Sequence, residues 1–138
     1  MTIDSIVNGI VIDHIAQGKA MEIYSYLSLD KIDSQVAIIK NAPSKKIGKK
    51  DIIKIDGEFA LNLDIIGFID PESTVNIIRD GKLVEKKKLQ LPEKLTDVLK
   101  CKNPRCITTT EQDIKHIFLL KNSEKREYRC LYCESRAE

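Results

Sequence analysis

Three observations predict an α+β chain built as two domains. Over the first hundred residues, β-branched runs and helical periodicities alternate in the order β-α-β-β-α-β-β. The Asp80-Gly81 dipeptide then closes the last two runs as a hairpin. All four cysteines fall between residues 101 and 138, as two short pairs. The element order is that of the split βαβ, ferredoxin-like arrangement, an antiparallel sheet with two helices on one face. The cysteine-bearing part reads as a small all-β zinc-binding domain. The expected boundary gives domains at 1–91 and 92–138, with Leu91-Pro92 at the junction.

Gly9 to Ile15 (GIVIDHI) is β-branched and predicts the first strand. Ala16, Ala20, Ile23, Tyr24 and Leu27 recur at helical spacing and predict a helix near 17–29. Gln35 to Lys40 is the second strand, and 41–48 a loop marked by Pro43 and Gly48. Lys50 to Asp56 (KDIIKID) is the third strand. Leu61, Ile65, Phe68 and Ile69 predict the second helix. Thr74 to Arg79 and Lys82 to Lys88 flank the hairpin turn as strands four and five, the fifth an edge. In the last part, the segment between the cysteine pairs is expected to form strands that bring the second pair beside the first.

The pairs are Cys101 with Cys106, four residues between them, and Cys130 with Cys133, two between them. Two short pairs at this separation suit a closed tetrahedral four-cysteine zinc site, each pair on a tight turn aiming two sulfurs at one ion. Asn103 and Pro104 supply turn chemistry for the first pair. The alternative, two disulfides or four unrelated thiols, is disfavoured because no secretory signal opens the chain. That points to the cytoplasm. A part this short also needs a metal or another staple to fold. Four sulfurs leave no open coordination position, so the zinc is structural and hydrolytic chemistry is excluded.

Charge narrows the partners. Residues 1–100 carry 15 Lys/Arg and 15 Asp/Glu, and residues 101–138 carry 8 and 6. Four thiolates with one Zn2+ carry a net charge of about −2, which neutralises that excess. A nucleic-acid module normally shows a clear basic excess. A zinc-ribbon nucleic-acid-binding module is therefore the alternative reading, and no nucleic-acid partner is expected. Lys125, Arg126 and Arg129 cluster, but Glu124 and Glu127 interleave with them. The longest uncharged stretch, Ser5 to Ile12, is far shorter than a membrane span, so no membrane partner is expected either.

Strand alternation sorts the residues of the sheet. Ile53 and Ile55 take one side of the third strand, and Lys50, Ile52 and Lys54 the other. The side with the lysines cannot pack on helices. One consistent open face is Val11, Asp13, Lys50, Ile52, Lys54, Asn76 and Ile78. Such a mixture suits a nucleotide: branched apolar groups hold a base, a carboxylate or amide takes sugar hydroxyls, and lysines meet phosphates. Lys86, Lys87 and Lys88 at the edge extend a cationic wall, and His14 ends strand one. The competing reading is an edge strand guarded by lysines against aggregation. Neither GxGxxG nor GxxxxGK[ST] occurs, so a phosphate site must be built from side chains. Catalytic signals are poor. The only histidines are His14 and His116, and Asp13 and His14, as strand neighbours, should point to opposite faces. A small nucleotide-metabolising enzyme would have His14 as its only general base.

Five segments occur in an order that resembles a known family: Gly9 to Ile15, Gly48 to Asp56, Ser73-Thr-Val-Asn76, Leu91-Pro92 and the tail with its two spaced cysteine pairs. Together they are similar to the regulatory chain of aspartate carbamoyltransferase (aspartate transcarbamylase), over nearly the whole chain. The resemblance implies a non-catalytic subunit of pyrimidine biosynthesis. Its N-terminal domain would bind CTP and UTP as inhibitors and ATP as activator, and would pair with a second regulatory chain. Its zinc domain would dock on the catalytic chain, three regulatory dimers joining two catalytic trimers. Carried over by position, Asp13 and Lys54 would meet the ribose with Lys50 nearby, and His14 and Lys86 the phosphates. Ile3, Asp4 and Ile6 would line the base pocket, and Val11, Ile52, Asn76, Ile78 and Leu83 the rest of the site. Gly81 stands where the family makes a base contact through backbone. Leu83 and Lys86 do not share a simple alternation, and a bulge in the fifth strand would reconcile them.

Overall fold

The computed structural model describes residues 7–45, 48–57 and 61–137. The chain divides into two compact units, Met1–Gln90 and Leu91–Glu138. Unit 1 carries β1 (Gly9–Ala16), α1 (Ala20–Tyr26), β2 (Val36–Ser44), β3 (Gly48–Asp56), α2 (Leu63–Ile69), β4 (Thr74–Arg79) and β5 (Lys82–Lys88). All pairings are antiparallel, in the order β2-β3-β1-β4-β5. The expected ferredoxin-like order is thus present, with β5 added at one edge.

The core lies on one face. Ile10, Ile12, Ile53, Ile55 and Val75 from the strands join Ala20 and Ile23 of α1 and Ile66 and Ile69 of α2 in one buried cluster. These are the strand positions that alternation assigns to the helix side. The helical stripe of α2 is partly displaced from expectation. Ile66 is fully buried, whereas Leu61, Ile65 and Phe68 pack around the cluster partly exposed.

Both helices are shorter than their periodicities suggest. Asn62 caps α2, its side chain accepting the N–H of Asp64 at 3.0 Å. At α1, Gly18 at φ 91 turns the chain, so residues 17–19 precede the helix. Lys19 offers no capping side chain there. Instead Asp51 of β3, fully buried, accepts Gly18 N–H at 3.0 Å and Ala20 N–H at 3.3 Å. Ser28, left-handed at φ 55, ends α1 before a single 3-10 turn, Leu29–Lys31.

The loop expected over 41–48 is largely strand. β2 runs on to Ser44, which pairs with Gly48, and Pro43 is tolerated because β2 is an edge. A bulge between Ile39 and Ala42, with Asn41 at φ 61, lets the strand bend, and Asn41 N–H is held by Asp51 at 3.1 Å. The β4–β5 hairpin forms as expected, with Asp80 and Gly81 both at positive φ (53 and 74).

Unit 2 holds β6 (Lys94–Thr96), a helical turn α3 (Ile107–Thr110), β7 (Ile117–Asn122) and β8 (Glu127–Cys130), with sheet order β6-β7-β8. Apart from α3, it is the small β domain expected. Leu95, Phe118 and Tyr128 form its buried apolar centre, and the Tyr128 hydroxyl donates to Pro92 O at 2.7 Å. No described helix is long and apolar enough to cross a membrane.

Candidate functional site

The four cysteine sulfurs all lie within 4.8 Å of one another, and none forms a disulfide. Cys101 and Cys133 Sγ are 3.5 Å apart, and Cys106 and Cys130 Sγ 3.7 Å. A tetrahedral ion with metal–sulfur bonds of about 2.3 Å sets sulfurs about 3.8 Å apart, so the donor set fits a metal. The positions follow from local structure. Cys106 stands at the N-cap of α3, Cys130 ends β8, and Cys133 closes the turn after it.

The environment splits the thiols. The Ser135 hydroxyl draws Cys133 down to about 6 against burial. Burial pushes Cys106 up, but the Thr108 hydroxyl, 3.1 Å away, and the Thr108 N–H outweigh it and hold it low. Burial pushes Cys101 up to about 12, against the Asn103 N–H, and burial raises Cys130 as well. Cys133 and Cys106 are thus the more acidic thiols and Cys101 and Cys130 the less acidic, and a divalent ion displaces whichever protons the sulfurs keep. His116 is structural: its Nδ1 accepts the N–H of Cys101 at 3.1 Å, while its backbone N–H donates to the Asp97 carboxylate at 2.9 Å.

The helix-free face of unit 1 carries the other candidate residues. Cross-strand registers align Lys54 with Val11, Val11 with Asn76, and Asn76 with Lys86. A second row joins Ile78 to Leu83. The register of β5 slips between these rows: Ile77 faces Glu85 while Ile78 faces Leu83, leaving Val84 as the bulged residue. That bulge returns Leu83 and Lys86 to one side of the sheet, as the resemblance required. Lys87 is not part of that side. It pairs with the buried Val75 and lies 4.0 Å from Glu85. Lys88 instead faces Thr74.

Asp13 and His14 do not follow the expected alternation. Ile12 pairs with Ile53 and Ile15 with Asp51, so both Asp13 and His14 oppose Ile52. The extra residue is absorbed at His14, which is left-handed at φ 57. Its Nδ1 consequently approaches Thr74 Oγ1 (3.3 Å) and Asp13 Oδ2 (3.9 Å) on the same side of the sheet. Local alternation carries no signal for this bulge, nor for the involvement of Thr74.

Lys50 Nζ meets Asp13 Oδ1 at 2.9 Å. Burial raises the Asp13 carboxyl, but the Lys50 hydrogen bond, the His14 N–H and the neighbouring charges outweigh it and hold it below its ordinary range. The face thus brings Val11, Asp13, His14, Lys50, Ile52, Lys54, Asn76, Ile78, Leu83 and Lys86 together, while Ile3, Asp4 and Ile6 lie outside the described residues.

Comparison with known proteins agrees with both halves. The family "Aspartate carbamoyltransferase regulatory chain, allosteric domain" matches residues 1–90, and its "metal binding domain" counterpart matches residues 93–138. An aspartate carbamoyltransferase regulatory chain of Bifidobacterium longum is 46% identical over 138 residues, covering 100% of this chain and 99% of the relative. One of Clostridium tetani is 51% identical over 135 residues, covering 97% and 94%. One of Clostridium acetobutylicum is 50% identical over 134 residues, covering 97% and 92%. With both domain types matched end to end and the sulfur cluster in place, the chain belongs to the aspartate carbamoyltransferase regulatory chain family and is a non-catalytic subunit.

Proposed function

We propose that residues 1–91 bind CTP, UTP or ATP on the helix-free face of the sheet. Residues 92–138 hold one structural zinc ion on Cys101, Cys106, Cys130 and Cys133 and dock on the catalytic chain. In this reading the protein acts in the cytoplasm as a dimer, three such dimers linking two catalytic trimers, and conveys feedback control to pyrimidine biosynthesis. The observation that carries it is the row Lys54–Val11–Asn76–Lys86, flanked by the Asp13–Lys50 pair, on a face that no helix among the described residues covers. Lys54 and Asp13 take ribose hydroxyls with Lys50 beside them. His14 and Lys86 take phosphates, and Val11, Ile52, Ile78 and Leu83 enclose the base together with Ile3, Asp4 and Ile6.

In the zinc unit, Ile107, Leu131 and Tyr132 are exposed apolar residues directly beside cysteines. Their exposure supports a protein partner rather than nucleic acid. Nucleotides can act only by binding one quaternary state more tightly than the other. Leu91-Pro92, where the chain passes from unit 1 to unit 2, is the hinge in this scheme. Titration calorimetry of the zinc-loaded chain tests the reading: CTP or ATP should bind with micromolar-to-millimolar affinity, and the absence of any binding would refute it.

A further inference from the structure

Backbone strain identifies one more residue that serves this face. A non-glycine residue in the left-handed region, as His14 is, persists only where its surroundings over-determine it. Two sides hold it. Before it, Asp13 makes the last pairing of β1 with β4, opposite Thr74. After it, Ile15 is fully buried, and the Ala16 N–H donates to Asp70 Oδ2 at 2.6 Å. The β4 ladder therefore stops at Thr74, and Asp70, just upstream in the chain, continues the grip on β1 by side chain.

Asp70 is itself immobilised. It is 4% exposed, and its other carboxylate oxygen accepts the Glu72 N–H at 3.0 Å. Its carbonyl accepts the Ser73 hydroxyl at 2.8 Å, and its N–H donates to Ile66 O at 2.8 Å at the end of α2. The turn that follows Ala16 is anchored separately, by Asp51 on Gly18 and Ala20 and by Lys19 Nζ on Ile69 O at 3.0 Å.

We propose that Asp70 is a positioning residue: by anchoring the Ala16 N–H it holds His14 in its left-handed bulge, with the ring beside Thr74 and Asp13 on the helix-free face. This rests on the reading of that face as a triphosphate site. Asp70 meets no nucleotide and acts through His14. Its effect is opposite in sign to simple electrostatics, since deleting a carboxylate near a polyphosphate favours binding, whereas releasing His14 weakens it.

The test uses the full-length, zinc-loaded chain and the substitution Asp70→Asn, which keeps the side-chain shape but removes one of its two acceptors. In the nucleotide-free protein the His14 amide and ring NMR resonances should move. ATP or CTP affinity should fall about tenfold, the loss of one charge-assisted hydrogen bond. In a His14→Ala background the same substitution should change affinity by less than about twofold, because the two residues act as a unit. Unmoved His14 resonances, tighter binding, or an equal loss in both backgrounds would overturn the proposal. Should Asp70→Ala unfold, Asp70→Asn carries the test. If His14→Ala alone leaves affinity unchanged, the phosphate role of His14 fails, while the nucleotide-free resonances still decide the role of Asp70.

Discussion

Lys50 Nζ and Asp13 Oδ1 stand 2.9 Å apart on the helix-free face, joining two strands that also pair through Ala16 and Lys50. Burial acts to raise the Asp13 carboxyl, and the Lys50 ammonium is the strongest influence opposing it. Removing that ammonium by Lys50→Gln should therefore lift the Asp13 pKa, read from the carboxyl resonance in an NMR titration. The sign follows from linkage. A carboxyl depressed in the folded state stabilises the fold above its unfolded pKa of about 4, and that stability is lost as pH falls through the folded value. The variant should be less stable than the parent at neutral pH, and the difference should shrink as pH falls through the folded pKa of the parent. An Asp13 titration that does not shift would show that Lys50 is not what holds it down.

The lysines of the face divide by register, which makes a directional experiment possible. Lys54→Ala and Lys86→Ala should each weaken nucleotide binding about tenfold, as expected for loss of one charge-assisted contact. Lys87→Ala is the internal control: it alternates to the side of Val75 and should change affinity less than about twofold. Calorimetry on the three variants checks this. Equal losses at all three would mean that the lysines act through bulk charge and not through position.

The sulfur cluster predicts one metal ion per chain, measurable by elemental analysis. Cys106→Ser, or a strong chelator, should remove it and unfold the unit spanning 91–138, since metal binding in zinc-finger peptides is worth on the order of 10–16 kcal/mol. Hydrogen exchange should show β7 and β8 losing protection while the five-stranded sheet of unit 1 keeps it. Retention of the complex with the catalytic chain after complete metal loss would remove the docking role from this unit.

Gly67 lies buried in α2, and a Cβ there would stand 2.4 Å from the backbone oxygen of Gln90. Gly67→Ala gains about 1 kcal/mol of helix propensity and incurs about 1–3 kcal/mol of overpacking. The expected net loss, up to about 2 kcal/mol, should appear as a lower thermal midpoint. A midpoint that rises would show that the Leu89–Gln90 segment moves aside freely.

Alternation made much of the candidate face legible. Ile53 and Ile55 are fully buried because a strand between two neighbours has one helix-packed side, and the lysines beside them could only take the other. The β4–β5 hairpin was legible for a different reason, since Asp-Gly is favoured where two successive residues need positive φ. Alternation failed at His14 and Val84, where one extra residue shifts the register. Only at Val84 did the family resemblance supply the missing bulge. Helix ends were misplaced for the same kind of reason: Asp51, remote in sequence, captures the N–H groups that start α1, so no local cap marks it.

By itself the sequence determined the two-part organisation, the strand order type, the buried side of the sheet and the four sulfurs. Each of these follows from local periodicity or from spacing. Only the tertiary structure decided which side of the sheet His14 and Lys87 serve, that Asp13 is held by Lys50, and that Asp70 grips the end of β1. Those relationships depend on register between strands far apart in the chain. A shift of one residue there moves a side chain from one face to the other without changing a letter of the local pattern.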